Sequence, residues 1–183
     1  MQRSGKTVLR VQPRIPAEQT AAFNPLTAVK LWENPCWFSY RLNYLALHYN
    51  IPIYDWIEQR YGLVRPEYVV MFSIGLKSGV AAKDICISSG FPKNTISRAI
   101  QRLLKRKLIR RAQDENDLRS FVLRLTKAGR DIFDETMPTL IAHERTMLSG
   151  LTPAEQDQLS ELMAKLVLQS PAWPSAIDQE EEA

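Results

Sequence analysis

The sequence predicts a mainly α-helical fold with one small β-hairpin, and three observations predict it. Apolar residues recur at helical spacing through successive segments between Asn34 and Gln169. Two short apolar runs, Leu108 to Ala112 and Ser120 to Leu125, read as strands around the polar loop Gln113 to Arg119, which is too long for a tight two-residue turn. Positive charge is concentrated: Lys77 to Arg130 holds 14 Lys and Arg against 4 Asp and Glu, while the rest of the chain holds 10 against 16. A short helix, a turn, a basic helix and a charged hairpin in that order make a winged helix-turn-helix, a module that lays one helix in the DNA major groove. The remaining residues, mainly long helices on either side of it, should then supply a helical dimerisation region and signal sensing.

Composition fits this class and excludes others. At 183 residues, 45% apolar and 24% charged, the chain is an ordinary globular protein with tails. Two cysteines make no disulfide framework, so a reducing cytoplasm fits best. The N-terminal segment has no apolar run of signal-peptide length, and nowhere do about 18 apolar residues run together as a membrane span requires.

Residues 1–32, interrupted by Pro13, Pro16 and Pro25, read as a flexible basic arm. The main domain covers 33–170, with the winged module at about 64–126 and dimerisation helices at about 35–61 and 127–169. Asn34-Pro35 supplies an N-cap and a first helical residue, which places Cys36 second in a long aromatic helix. Pro52 should kink or briefly break that helix near His48 to Tyr49, and Gly62 should end it. Pro66 opens a helix to Leu76 that is apolar on most sides and belongs at the centre. Ala82 to Ser89 is a short helix with Ile85, Cys86 and Ser89 inward, and Gly90 completes the turn. Lys93 to Arg106 follows, with Ile96, Ile100, Leu103 and Leu104 on one stripe. Its other face shows Lys93, Asn94, Ser97, Arg98, Gln101, Arg102 and Lys105, with no acidic residue. A solvated helix face normally mixes both signs, so this bias favours a nucleic-acid surface over a merely solvated one. Thr126 can cap a helix from Lys127 to Leu148 that contains Pro138. Thr152-Pro153-Ala154-Glu155 is a capping box that opens the last helix, to Gln169. Residues 171–183 read as a disordered acidic tail.

Two spaced motifs sharpen this. Lys93-Asn94-Thr95-Ile96-Ser97-Arg98 is similar to the K-S-T-V-S-R run that opens the recognition helix of the MarR family of bacterial transcriptional regulators. Asp117-Leu118-Arg119, then Ser120 to Arg124, then Leu125-Thr126 resembles that family's wing signature, and Ala128-Gly129-Arg130 also fits. The resemblance runs from about Leu42 to Val167. It implies a homodimer whose first and last helices intertwine, a near-palindromic double-stranded DNA operator, and a repressor released by a small aromatic ligand. Departures are Pro92 in place of a common capping Asp, an acidic wing tip, Leu118 where many relatives carry a second arginine, and the long arm.

Residue chemistry assigns the roles. Lys93, Asn94, Thr95, Ser97 and Arg98 lie in the first turns of a groove-entering helix, where short polar side chains and arginine reach base edges. Arg102 or Lys105 suits a phosphate. Arg119 suits a narrow minor groove, held by Asp117 two residues earlier; as plain surface chemistry the same two would be a weak salt bridge. For the effector, the resemblance points to Trp37, Tyr40, Arg41, Tyr44 and His48 on the first helix and Tyr68 on the second. Such an aromatic cleft with one arginine could hold an aromatic acid or its thioester. Dimer core is the blander role for those rings. Cys36 near a helix start, beside Tyr40 and Tyr44, offers a thiol-based redox alternative, as in the branch of the family that senses hydroperoxides. His48 and His143 lack a cluster of metal-binding neighbours, so no metal and no cofactor is expected. No nucleophile–base spacing or phosphate loop suggests an enzyme. A winged module that binds protein instead of DNA is disfavoured by the charge count.

Overall fold

A computed structural model describes residues 17–114 and 120–174. In order these form α1 (Ala17–Thr20), α2 (Pro25–Trp32), α3 (Trp37–Tyr61), α4 (Arg65–Leu76), α5 (Ala82–Ser89), α6 (Lys93–Lys105), β1 (Ile109–Gln113), β2 (Phe121–Leu125), α7 (Lys127–Leu148), α8 (Pro153–Gln169) and a 3₁₀ turn at Ser170–Ala172. The described residues up to Pro138 make one compact unit, and those from Thr139 onward a second. No helix among the described residues is long and apolar enough to cross a membrane.

In the first unit α4 is the centre, packed against α3, α5, α6 and β2. Its Tyr68, Val70, Met71 and Ile74 are buried, and around them lie Ile57, Leu63, Ile85, Ile96, Leu103, Leu123 and Phe133. The four-way apolar helix read from the sequence is therefore the one that other elements enclose. Gly75 lets α7 approach closely: a Cβ there would lie inside the Phe133 ring. Arg130 on α7 reaches the Gly75 carbonyl at 3.3 Å, at the carbonyl-rich end of α4.

The hairpin is antiparallel, with Ile109 opposite Leu125 and Gln113 opposite Phe121. A third segment joins it, since Gly79 N–H donates to the Leu123 carbonyl (3.1 Å) and Leu123 N–H donates to that of Val80 (2.9 Å). Between α6 and β1 the chain turns through Lys107, whose φ is 56°. Lys107 N–H donates to the Leu104 carbonyl and Leu108 N–H to that of Leu103, which is the two-bond helix ending usually built on glycine. Thr126 explains the leucine–threonine pair of the wing motif. Its hydroxyl donates to the Lys107 carbonyl (2.8 Å) and accepts from Gly129 N–H (3.2 Å), tying β2 and the start of α7 to the end of α6.

The second unit holds the end of α7 and α8. Glu155 and Thr152 form the expected capping box, with Glu155 Oε2 2.8 Å from Thr152 N. Gln156 Nε2 donates to the Leu148 and Leu151 carbonyls and closes the loop. None of α8 is buried in the single chain.

Three expectations need correction. Residues 25–32, read as part of a flexible arm, form α2. Asn24 Oδ1 accepts from Thr27 N–H (2.9 Å), Pro25 occupies the first turn, and Leu31 is buried. Asn34-Pro35 does not start the next helix. Asn34 Oδ1 instead accepts from Cys36 N–H (2.9 Å) in a local turn, so Cys36 is the N-cap and not the second helical residue. Pro52 does not break α3, which is continuous from Trp37 to Tyr61. The reading of residues 1–16 as an arm and of 175–183 as an acidic tail falls outside the described residues.

Candidate nucleic-acid interface

α6 is strongly amphipathic in fact as in sequence. Ile96, Ala99, Ile100 and Leu103 are buried, Lys93, Asn94, Ser97, Arg98, Gln101, Arg102 and Lys105 are exposed, and Thr95 is half-buried. Pro92 caps it with no side-chain acceptor, and the Thr95 and Ile96 amides return to the Pro92 carbonyl. No acidic residue lies in its first turn, so the positive end of the helix and the Lys93 ammonium reinforce one another toward solvent.

What holds this helix at its angle was not read from the sequence. Arg106, at its C-cap, donates to the Tyr61 carbonyl (2.6 Å) and the Gly62 carbonyl (2.7 Å), the orphan acceptors at the end of α3. One turn earlier, Arg102 Nη1 lies 3.4 Å from Glu67 Oε1 at the start of α4. Two arginines four residues apart thus grip the α3–α4 junction from one side of α6. The only advance signal was the i, i+4 spacing of Arg102 and Arg106 on an otherwise exposed face.

Asp117 and Arg119, assigned to the wing tip, lie outside the described residues. The stem of the wing carries Arg110 directly opposite Arg124, with Arg124 Nη1 3.3 Å from Ser78 Oγ.

The residues assigned to an effector divide into two groups. Trp37, Tyr40, Arg41, Tyr44 and His48 follow one another along α3, and the α2 region packs on them. The Arg41 guanidinium lies between the indoles of Trp32 (4.6 Å) and Trp37 (5.0 Å), and its Nε donates to the Leu31 carbonyl (2.9 Å). Its Nη2 is buried without a hydrogen-bond partner, and burial lowers its pKa. Tyr44 stacks on His48 at 3.9 Å and meets Phe23 edge-on at 6.2 Å, while the Lys30 ammonium sits 5.6 Å from the Tyr40 ring. Phe23, Lys30 and Trp32 were missed because they lie in the stretch read as an arm.

Tyr68 stands apart. It is 2% exposed, its ring packs near Tyr54 and Phe72, and its hydroxyl is 2.6 Å from Thr136 Oγ1. Thr136 gives its single proton to the Phe133 carbonyl, so Tyr68 is the donor. Burial pushes the Tyr68 phenol up to about 12. Cys36 is exposed at the N-cap of α3. Among the described residues no group of three or more His, Cys, Asp or Glu could hold a metal ion.

Comparison with known proteins agrees with this architecture. The family model for the transcriptional regulator SarA/Rot matches residues 52–136, from the second half of α3 into α7. The transcriptional regulator HosA of Escherichia coli O157:H7 is 27% identical over 112 residues, 61% of this chain and 83% of that protein. A MarR-family regulator from Silicibacter pomeroyi is 25% identical with a TM-score of 0.65, covering 77% of this chain and 94% of its own. The Staphylococcus aureus MepR–DNA complex superposes with a TM-score of 0.62 at 19% identity, covering 72% of this chain and 95% of its own. Fold and relatives are those of transcriptional regulators, which are not enzymes. The chain is a transcriptional regulator of the winged-helix kind, similar in fold to MarR-family structures.

Proposed function

We propose that this regulator binds near-palindromic double-stranded DNA as a homodimer, with α6 in the major groove and the wing on the flanking minor groove. On this reading it is a cytoplasmic repressor. The observation that carries it is the exposed, acid-free face of α6, from Lys93 to Lys105. Lys93, Asn94, Thr95, Ser97 and Arg98 meet base edges, Arg102 meets phosphate, and Asp117 and Arg119 serve the wing. Arg98 is the base-reading residue of first choice, because a guanidinium in the second turn of such a helix can bond guanine O6 and N7 together. Dimerisation is supported by α8, where Leu159, Leu162, Met163, Leu166 and Val167 repeat at helical spacing and are all more than a third exposed in the single chain.

Release from DNA belongs to the α2–α3 cluster. A buried arginine nitrogen without an acceptor, between two indoles, suits the carboxylate of an aromatic acid or its thioester. Cys36, exposed at the head of the same helix, is where a thiol-based release would act instead.

The test is a titration of wild type and Arg98→Ala against duplexes enriched from a random pool by the wild-type protein, repeated at several salt concentrations. Arg98→Ala should weaken the enriched duplex by about 10- to 100-fold and relax the preference at one base pair of each half-site. Unchanged affinity and preference would remove Arg98 from the reading surface.

A further inference from the structure

We propose that Glu67 is a positioning residue for the DNA face: it holds the Arg102 guanidinium in the orientation that meets a backbone phosphate, and so trades raw attraction for sequence specificity. This rests on the reading of α6 as the DNA-contacting helix.

Among the described residues Glu67 is the only buried carboxylate, and its side chain is 6% exposed. Removing a carboxylate from water is costly unless its oxygens find strong partners. Each oxygen has one. Oε2 accepts from Val64 N–H at 3.2 Å, and Oε1 lies 3.4 Å from Arg102 Nη1. The first bond is the reach-back half of a capping box, which a neutral Gln performs as well as Glu. Val64 has no side-chain acceptor to supply the other half. The cap therefore does not require a charge at this position, and the charge is left to be explained by Arg102.

Arg102 itself is 64% exposed at the side chain, yet tethered at one nitrogen. A guanidinium has five N–H donors in a rigid plane, so the contact of one nitrogen with Glu67 restricts where the group can lie and leaves the remaining donors for a second acceptor. A cavity of about 130 Å³ opens there, lined by Pro66, Glu67, Thr95, Arg98 and Arg102, on the same side of α6 as the reading residues. A carboxylate at that place repels DNA phosphates. On this proposal orientation of Arg102 is worth more than the attraction Glu67 takes away. The Arg106 bonds to the end of α3 hold the neighbouring turn, so the backbone that carries Arg102 is fixed as well.

The sign of the effect separates this role from a structural one. Glu67→Gln keeps the cap and removes the charge. It should leave binding to a scrambled duplex unchanged or tighter, and weaken binding to the wild-type-enriched duplex, so that the specificity ratio falls about tenfold. In an Arg102→Ala background, Glu67→Gln should change that ratio less than twofold. Arg102→Lys keeps the charge but lacks the planar fork, lies on the surface, and should reproduce the loss whether or not Glu67→Gln folds fully. An unchanged ratio in Glu67→Gln or in Arg102→Lys, or an equal drop in the Arg102→Ala background, overturns the proposal while DNA binding stands. A wild-type chain that enriches no duplex overturns the DNA reading, and this proposal with it.

Discussion

Tyr68 shows how a residue assigned to a ligand becomes part of the core. Its hydroxyl donates to Thr136, which is 0% exposed, and an aromatic effector could reach it only by opening α4 from α7. Tyr68→Phe should cost about 1 kcal/mol, at the low end because Thr136 keeps its own bond to Phe133. Chemical denaturation should show this with DNA affinity unchanged. The phenol also gives a pH signature. Its folded pKa is raised from 10 to about 12, so the stability it contributes is complete below pH 10 and is lost as pH climbs through 12. That part of the alkaline loss should be missing from Tyr68→Phe. The polar residues of α6 were legible because short-range periodicity fixes which side they take. Tyr68 and Glu67 were not, because which face of a nearly all-apolar helix lies deepest is decided by its partners.

Helix boundaries were legible wherever a single signal stood alone, as at Gly62, Lys127 and Thr152. They failed where one dipeptide occurs twice. Asn24-Pro25 and Asn34-Pro35 carry the same N-cap and proline pattern, but only the first begins a helix; the second Asn spends its oxygen on the Cys36 amide. Nothing local distinguishes them, since the difference is whether the next turn can bury Leu31. Pro52 leaves α3 continuous because Ile53 and Ile57, just after it, are buried and hold the helix through the missing bond. Gly129 is the element-scale counterpart of a motif residue. A Cβ there would overlap the Leu108 carbonyl oxygen, a backbone atom that cannot turn aside. Gly129→Ala should therefore destabilise by about 1–3 kcal/mol, read as a lowered midpoint in thermal unfolding, by pushing α7 off the start of β1.

At the scale of the whole molecule, the concentration of basic charge and the exposed apolar face of α8 fall in different stretches of the sequence. The basic residues gather between Lys77 and Arg130, while α8 exposes Leu162 at 52% and Leu168 at 79%. A helix with no buried residue is unstable alone in water. If the proposed dimer forms through α8, Leu162→Glu together with Leu166→Glu should leave a monomer in analytical ultracentrifugation and shorten the protected DNA footprint to one half-site. A variant that remains dimeric would remove α8 from the interface. The mainly helical class, the hairpin and the order of elements were all legible because each is set by nearby residues. The grip of α6 on the α3–α4 junction was not, since it joins residues 35 and 44 positions apart.

The packing of α2 also redraws where this protein begins. A version shortened to start at residue 33, the boundary the prolines suggest, would leave Arg41 with one indole instead of two and without the Leu31 carbonyl. It would strip Phe23 from Tyr44 and bare the head of α3. Such a trimmed protein would retain every residue of the winged module and still lose the aromatic packing that surrounds Arg41 and Tyr44.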